Sequence, residues 1–248
     1  HVDLNPNYFW EQPEGKFDFE SFIKRGGLYL PKGTKLPSAA QMEDVCRALE
    51  EEISADDQVS NLFKVKDRRR GIRLPWFLPQ MDIDVQNPGK VIHEFFKPAI
   101  KAAYEEQFKG RNFVDYREND TDGQVTIVDE SQLRLVSALR EGPVFGWIFP
   151  AVFQGIGIEG DRALMKTLPT KHSFVLGGFE SLMATILHTK VLCRDNNTPV
   201  QDLASFQWRD PGGSLCVYAL DSELGFAGRG LDAGGHFSAA LSVFRQCK

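Results

Sequence analysis

The sequence predicts an α+β fold, with a helix-rich N-terminal half and a C-terminal half made of a mainly antiparallel sheet and packed helices. Three observations carry that reading. Apolar residues recur at helical spacing in two long windows ahead of residue 117, glycines and short β-type runs gather after residue 123, and two strand-to-helix steps lie between them.

The first helix is set by SAAQMEDVCRALEEEIS, which places Met42, Val45, Cys46, Leu49 and Ile53 on one face, with Ser38 as N-cap. Downstream, LPWFLPQMDID holds Trp76 and Phe77 between two prolines, the mark of an extended segment outside any helix. A second helix starts after Asn87-Pro88, turns Val91, Ile92, Phe95, Phe96, Ile100, Ala103 and Tyr104 inward, and stops at Gly110. Pro98 should kink or divide it. The polar run RENDTDG (117–123) is the one candidate linker, so the chain reads as a single domain over 1–248 with a subdivision near 117–123 at most.

Beyond it QVTIV reads as a strand, and Asp129 with Gln132 caps the helix DESQLRLVSALRE, which ends at Gly142-Pro143. SFVL then leads through Gly177-Gly178 into the helix FESLMATILHTK. The runs SLCVYAL, ELGFAGRG and HFSAALSVF suit an antiparallel meander, the last with Phe237, Ala239, Leu241 and Val243 on one face. There is no internal repeat and no low-complexity tract.

At 248 residues, 42% hydrophobic and 25% charged, the chain is of ordinary globular composition, which excludes disordered and collagen-like architectures. A bilayer span needs roughly 18 uncharged apolar residues. The most apolar stretch, VFGWIFPAVFQGIGI, is cut by Pro150 and by glycines, so no membrane span is read. A net charge of -5 argues against nucleic acid as a partner. Cys46, Cys193, Cys216 and Cys247 are widely separated, which predicts reduced thiols, a cytoplasmic location and no zinc cluster. The start at His1, and sequons at Asn119 and Asn196, leave a removed signal peptide open.

Four stretches are candidates for chemistry. KVKDRRRGIR concentrates Arg68, Arg69, Arg70 and Arg73 directly before Trp76 and Phe77, a composition of guanidinium forks beside aromatic groups that suits an anionic ligand or a partner surface. Gly177 and Gly178, between a strand and a helix, leave backbone N–H groups at a helix N-terminus, where an anion is favoured; close packing is the plainer reason for two glycines there. In GFAGRGLDAGGHFS, Gly228, Gly230 and Ala233 imitate a dinucleotide fingerprint, but the helix and downstream acidic residue that the motif requires are missing. The stretch therefore reads as a connection between neighbouring strands from which Asp232 and His236 could line a pocket, and no cofactor is expected. Asp82-x-Asp84 with His93 and Glu94 is the only carboxylate and histidine cluster with any likeness to a metal site, and its pattern is too unspecific to assign one.

No nucleophile motif is present, and Ser173 or Ser238 with His172, His188 or His236 are the only elements of a triad assembled in space. The functional expectation is a binding or interaction domain for a partner protein or a small anionic ligand. Its alternative is a small-molecule enzyme with a pocket near the C-terminal glycine-rich loops.

Overall fold

The computed structural model describes residues 7–64, 71–117, 121–209, 212–231 and 236–247. Helices and strands are mixed, and the sheets are mainly antiparallel: the fold is α+β. Helix α1 (Phe19–Gly27), which the sequence reading passed over, is capped by the Asp18 carboxylate on the Ser21 amide. Helix α2 (Ala39–Ser54) opens at Ser38 with a complete capping box to Gln41 and buries Met42, Cys46, Leu49 and Ile53. A single turn, α3 (Asn61–Lys64), precedes strand β1 (Leu74–Leu78).

The predicted break at Pro98 takes the form of a π turn. Helix α4 (Pro88–Val91) passes through Ile92–Phe96, where the Lys97 amide reaches back five residues to the Ile92 carbonyl, and continues as α5 (Lys97–Gln107). The wider turn makes room for a ring that would crowd the preceding turn and supplies no N–H of its own. Strands β2 (Asn112–Asp115) and β3 (Val125–Ile127) follow, then α6 (Glu130–Glu141), whose N-cap is Asp129 as read from the sequence, while Gln132, read as its partner in the cap, turns instead to Leu176 and Glu180. The chain continues with β4 (Val144–Phe149), α7 (Ile158–Met165), β5 (Phe174–Leu176), α8 (Phe179–Leu187) and the short α9 (Thr189–Leu192). It ends with β6 (Val200–Leu203), β7 (Phe206–Trp208), β8 (Gly213–Ala219), β9 (Glu223–Gly230), β10 (Phe237–Ala239) and β11 (Leu241–Gln246).

One sheet, ordered β1-β4-β11-β5, is antiparallel throughout. The other, β10-β6-β8-β9-β2, is antiparallel at its centre and parallel at both edges, and β3 pairs with β7 separately. The expected meander holds only for β8 and β9. The third run splits at Ala240: β10 lies beside β6, and β11 crosses into the first sheet between β4 and β5. GFAGRGLDAGGHFS therefore does not join neighbouring strands, because β8 and β6 stand between β9 and β10. Its first six residues are strand, and their glycines make room for rings. A Cβ on Gly225 would lie 2.3 Å from Tyr218, and one on Gly228 would lie 2.7 Å from Trp208.

Helix α8 is the centre of the core. All nine of its residues are buried. It touches β1 and β4 of the first sheet, α1 and α5, and Phe179 stacks between Phe96 and Phe206 at 5.7 and 4.9 Å. Trp76 and Phe77, expected at the surface, are here instead and wholly buried. Trp76 pairs across the ladder with Gly146, on which any Cβ would fall 2.9 Å from the indole, so a large flat ring fills the space that a missing side chain leaves.

At the far end of α2 an ionic clamp ties that helix to the segment before β5. His172 is buried and sets Nδ1 2.6 Å from Glu52 and Nε2 2.7 Å from Asp56. Lys171 adds a contact of 2.8 Å to Asp56, and Arg245 on β11 pairs with Glu52. An imidazole can donate to both carboxylates only when both ring nitrogens carry hydrogen.

Lys171, His172 and the Gln58 amide hold the Asp56 carboxyl down to about 2. A carboxyl lowered by folding adds stability above its ordinary value of 3.8, and that stability drains away as pH falls toward about 2. Asp56→Asn is predicted to lower the thermal midpoint at neutral pH, with the gap to the parent protein closing over that acid window in a series of melts.

Candidate functional site

The candidate site is a cleft of about 680 Å³ between the N-terminal segment, α2 and the edge of the first sheet. The ladder and helix periods place its walls. Cys46, Arg47 and Glu50 come from α2, Phe63 from α3, Trp147 from β4, and Lys16 and Phe17 from the approach to α1. The Trp147 indole N–H donates to the Cys46 carbonyl at 2.8 Å, which fixes the ring where the helix crosses the strand. Phe17 and Phe63 meet that ring edge-on, with centroids 5.8 and 5.9 Å away.

Arg73, alone among the four predicted arginines in lying within the described residues, is on this wall. Its guanidinium sits 5.1 Å from the Phe63 centroid and 5.6 Å from that of Trp147. Nη1 contacts Glu50 at 3.0 Å and the Phe63 carbonyl at 3.3 Å, and the Arg73 backbone N–H donates to Gln12 at 2.8 Å. The side chain remains 30% exposed. Arg68, Arg69 and Arg70 lie outside the described residues, but Phe63 and Gly71, on either side of that run, both line the cleft.

Gly177 and Gly178 are at the start of α8, but the anion that faces them belongs to the chain. The Gly178 amide donates to Glu180 Oε1 at 3.0 Å and the Phe179 amide to Gln132 Oε1 at 3.4 Å. Gln132 Nε2 donates to Glu180 Oε2 at 2.5 Å and to the Leu176 carbonyl at 2.9 Å. Burial pushes the Glu180 carboxyl up to about 7 against these bonds. A Cβ on Gly178 would lie 2.3 Å from Gln132, and one on Gly177 would lie 2.6 Å from the Asp202 carbonyl. Both glycines are in close packing.

Asp232 lies outside the described residues. His236 stacks on Tyr8 with centroids 4.5 Å apart, and burial, then Arg229, lowers its imidazole. Arg229 also belongs to a group the sequence reading missed: Asp161 on α7, Asp202 on β6 and Arg229 on β9, with Arg229 contacting Asp202 at 3.2 Å. Asp202 carried a signal, as a carboxylate in the middle of the run VQDL; Asp161 carried none, because α7 was not read as a helix.

The remaining candidates serve the fold. Asp82 accepts from Arg140 at 3.0 Å, Asp84 accepts from the Gln86 amide at 2.9 Å, and His93 and Glu94 lie in the π turn. Among the described residues, no three His, Cys, Asp or Glu side chains converge as a cation would need. Ser238 donates to the Pro150 carbonyl, and the His188 ring donates to the Pro75 carbonyl at 2.6 Å, with burial lowering His188 to about 4. Burial raises the thiols of Cys46, Cys193 and Cys216, the last to about 12, which makes each a weak nucleophile. Among the described residues no helix is long and apolar enough to cross a membrane.

No family model matches the chain, and neither the curated proteins nor the solved structures yield a match.

Gly178→Ala is predicted to cost about 1–3 kcal/mol in urea unfolding, since the added methyl must displace Gln132 from its bonds to the α8 N-terminus. Inorganic phosphate should raise the midpoint of neither protein, because Glu180 already occupies that end of the helix.

Proposed function

We propose that this chain is a binding domain that takes a small anionic ligand with a flat apolar part in the Arg73 cleft. The observation that supports it most is the placing of one guanidinium over two aromatic rings on the wall of an open cleft, held there by Glu50. Such a guanidinium is already oriented, so an incoming carboxylate or phosphate gains a charge-assisted pair without first ordering a long side chain. Glu50 acts as the resident anion that the ligand replaces, while Phe17, Phe63 and Trp147 receive the apolar part. Lys16 adds positive potential on the same walls, whereas Arg47 is paired with Asp44 at 2.6 Å and Glu43 also lines the cleft.

A second reading, an enzyme pocket near the C-terminal glycine-rich stretch, is favoured by the buried carboxyls of Asp161 and Asp202, since displaced carboxyl titration is a common property of acid-base sites. Neither side chain reaches solvent, which sets this reading behind the first.

Phenyl phosphate and benzoate, with benzyl alcohol as the uncharged control, test the proposal by NMR titration. The anions should shift amides around Phe63, Arg73 and Trp147 in a saturable way, and the alcohol should not. Arg73→Gln should weaken phenyl phosphate at least tenfold, about 1.4 kcal/mol, while the protein remains folded. Equal affinity in the variant, or shifts that map away from the cleft, would sink the reading.

A further inference from the structure

Asp161 and Asp202 have no solvent exposure, and their nearest donors among the described residues, the Ala239 amide for Asp161 and Arg229 for Asp202, approach without completing a well-formed hydrogen bond. Among the described residues Arg229 is the one cation in ion-pair contact with the two; it reaches Asp202 at 3.2 Å and lies over the Phe237 ring at 3.4 Å. The one guanidinium in contact cannot neutralise two buried carboxylates, and a proton held by the group relieves the negative charge left over.

Among the described residues no second cation is in ion-pair contact with the group, and the one further positive group that acts on Asp161 is Arg162. From α7 itself, Arg162 spends its guanidinium on the Ala204 and Phe206 carbonyls, at 2.8 and 3.0 Å, and its charge is divided among Asp129, Glu159 and Asp161, so it lowers Asp161 less than Arg229 does. Strand β8 presents the Cys216 thiol, which Arg117 also faces and which burial keeps protonated. Strand β10 presents the Ala239 amide, and His236 just before it is lowered, hence neutral near pH 7.

Helix α7 is also tied to its surroundings at one end. The Ile158 amide donates to the Leu231 carbonyl at 3.1 Å, and the Gly155 amide donates to the Phe237 carbonyl at 2.8 Å. The turn leading into α7, with Ala151, Phe153 and Ile156, forms a wall of a second, apolar cleft of about 560 Å³, and Leu168 just beyond the helix lines it too.

We propose that Asp161 is a proton-operated latch: protonated, it lets α7 seat against β6 and β9 and fixes the wall of the apolar cleft; ionised, it drives α7 away and frees that wall. This stands apart from the Arg73 cleft and does not depend on it. Burial, with Asp202 adding, pushes the Asp161 carboxyl up to about 8, whereas Asp202, with Arg229 beside it, rises to about 7. The shared proton therefore rests on Asp161 near neutrality. The sign of the linkage follows. A carboxyl raised above its ordinary 3.8 binds a proton in the closed form that the open form gives up, so each unit of pH favours opening until the closed form ionises too.

Hydrogen exchange at the α7 and β10 amides, divided by intrinsic rates, tests the latch. In the parent protein the opening constant should rise about tenfold per pH unit from pH 5 and level off above about pH 8. In Asp161→Asn, which keeps the shape and cannot ionise, it should be low and flat. Asp202→Asn leaves Arg229 to Asp161 alone, so the levelling-off should move to lower pH; this decides the matter even where the first variant does not fold. A pH-independent opening constant in the parent protein, the same slope in Asp161→Asn, or an unmoved plateau in Asp202→Asn would each overturn the proposal.

Discussion

The fold depends on burying a whole helix. Helix α8 shows no face to water, so its first amides, which have no partner within the helix, cannot be left to solvent. The chain solves this by carrying a carboxylate into the core with the helix: Glu180 accepts from the Gly178 amide, and Gln132, from the start of α6, bonds both Glu180 and the Phe179 amide. Gln132 and Ser131 also reach the β5 backbone at Leu176. One polar knot thereby fixes α6, β5 and α8 together. Gly178 leaves the room that the Gln132 side chain fills, and Gly177 the room for the Asp202 carbonyl of β6.

Around that knot the apolar packing follows. With the α8 axis set, Phe179 lies between Phe96 and Phe206, and β1 closes over the helix with Trp76 laid on Gly146. Ionic groups are then managed in three ways. At the α8 N-terminus a carboxyl is hydrogen-bonded by amides; at the end of α2 a histidine stands between two carboxylates; under α7 two aspartates have one arginine. The first two are well satisfied and serve stability. The third leaves buried oxygens without a well-formed hydrogen bond, and a chain retains such a cost where the group does something. At the surface the Arg73 cleft follows the opposite arrangement, with its guanidinium oriented by rings and by Glu50 while still reaching water.

Local signals were legible in the sequence, and long-range pairing was not. Caps and periodicity read correctly: the N-caps Ser38 and Asp129 and the inward face of α2 are determined by residues within a few positions of one another. The course of HFSAALSVF could not be read that way, because what splits it at Ala240 is partners elsewhere, β6 on one side and β4 with β5 on the other. Trp76 was misjudged for the same reason. Arginines nearby in sequence suggested a surface, but the Gly146 that receives the indole is on another strand. Of the candidate site, Arg73 was read from the chain, whereas Glu50, Phe63 and Trp147, which orient it, come from three other elements.

The claim that the Glu180–Gln132 knot supports the buried helix is tested most directly by a double-mutant cycle. Urea unfolding of Glu180→Ala, Gln132→Ala and the double variant gives the coupling between the two side chains free of what each loses separately. A hydrogen-bonded pair fully inside the core predicts a coupling of about 1–3 kcal/mol, with the double variant less destabilised than the sum of the singles. Additivity within about 0.5 kcal/mol would contradict it, and would mean that α8 is held by apolar packing alone.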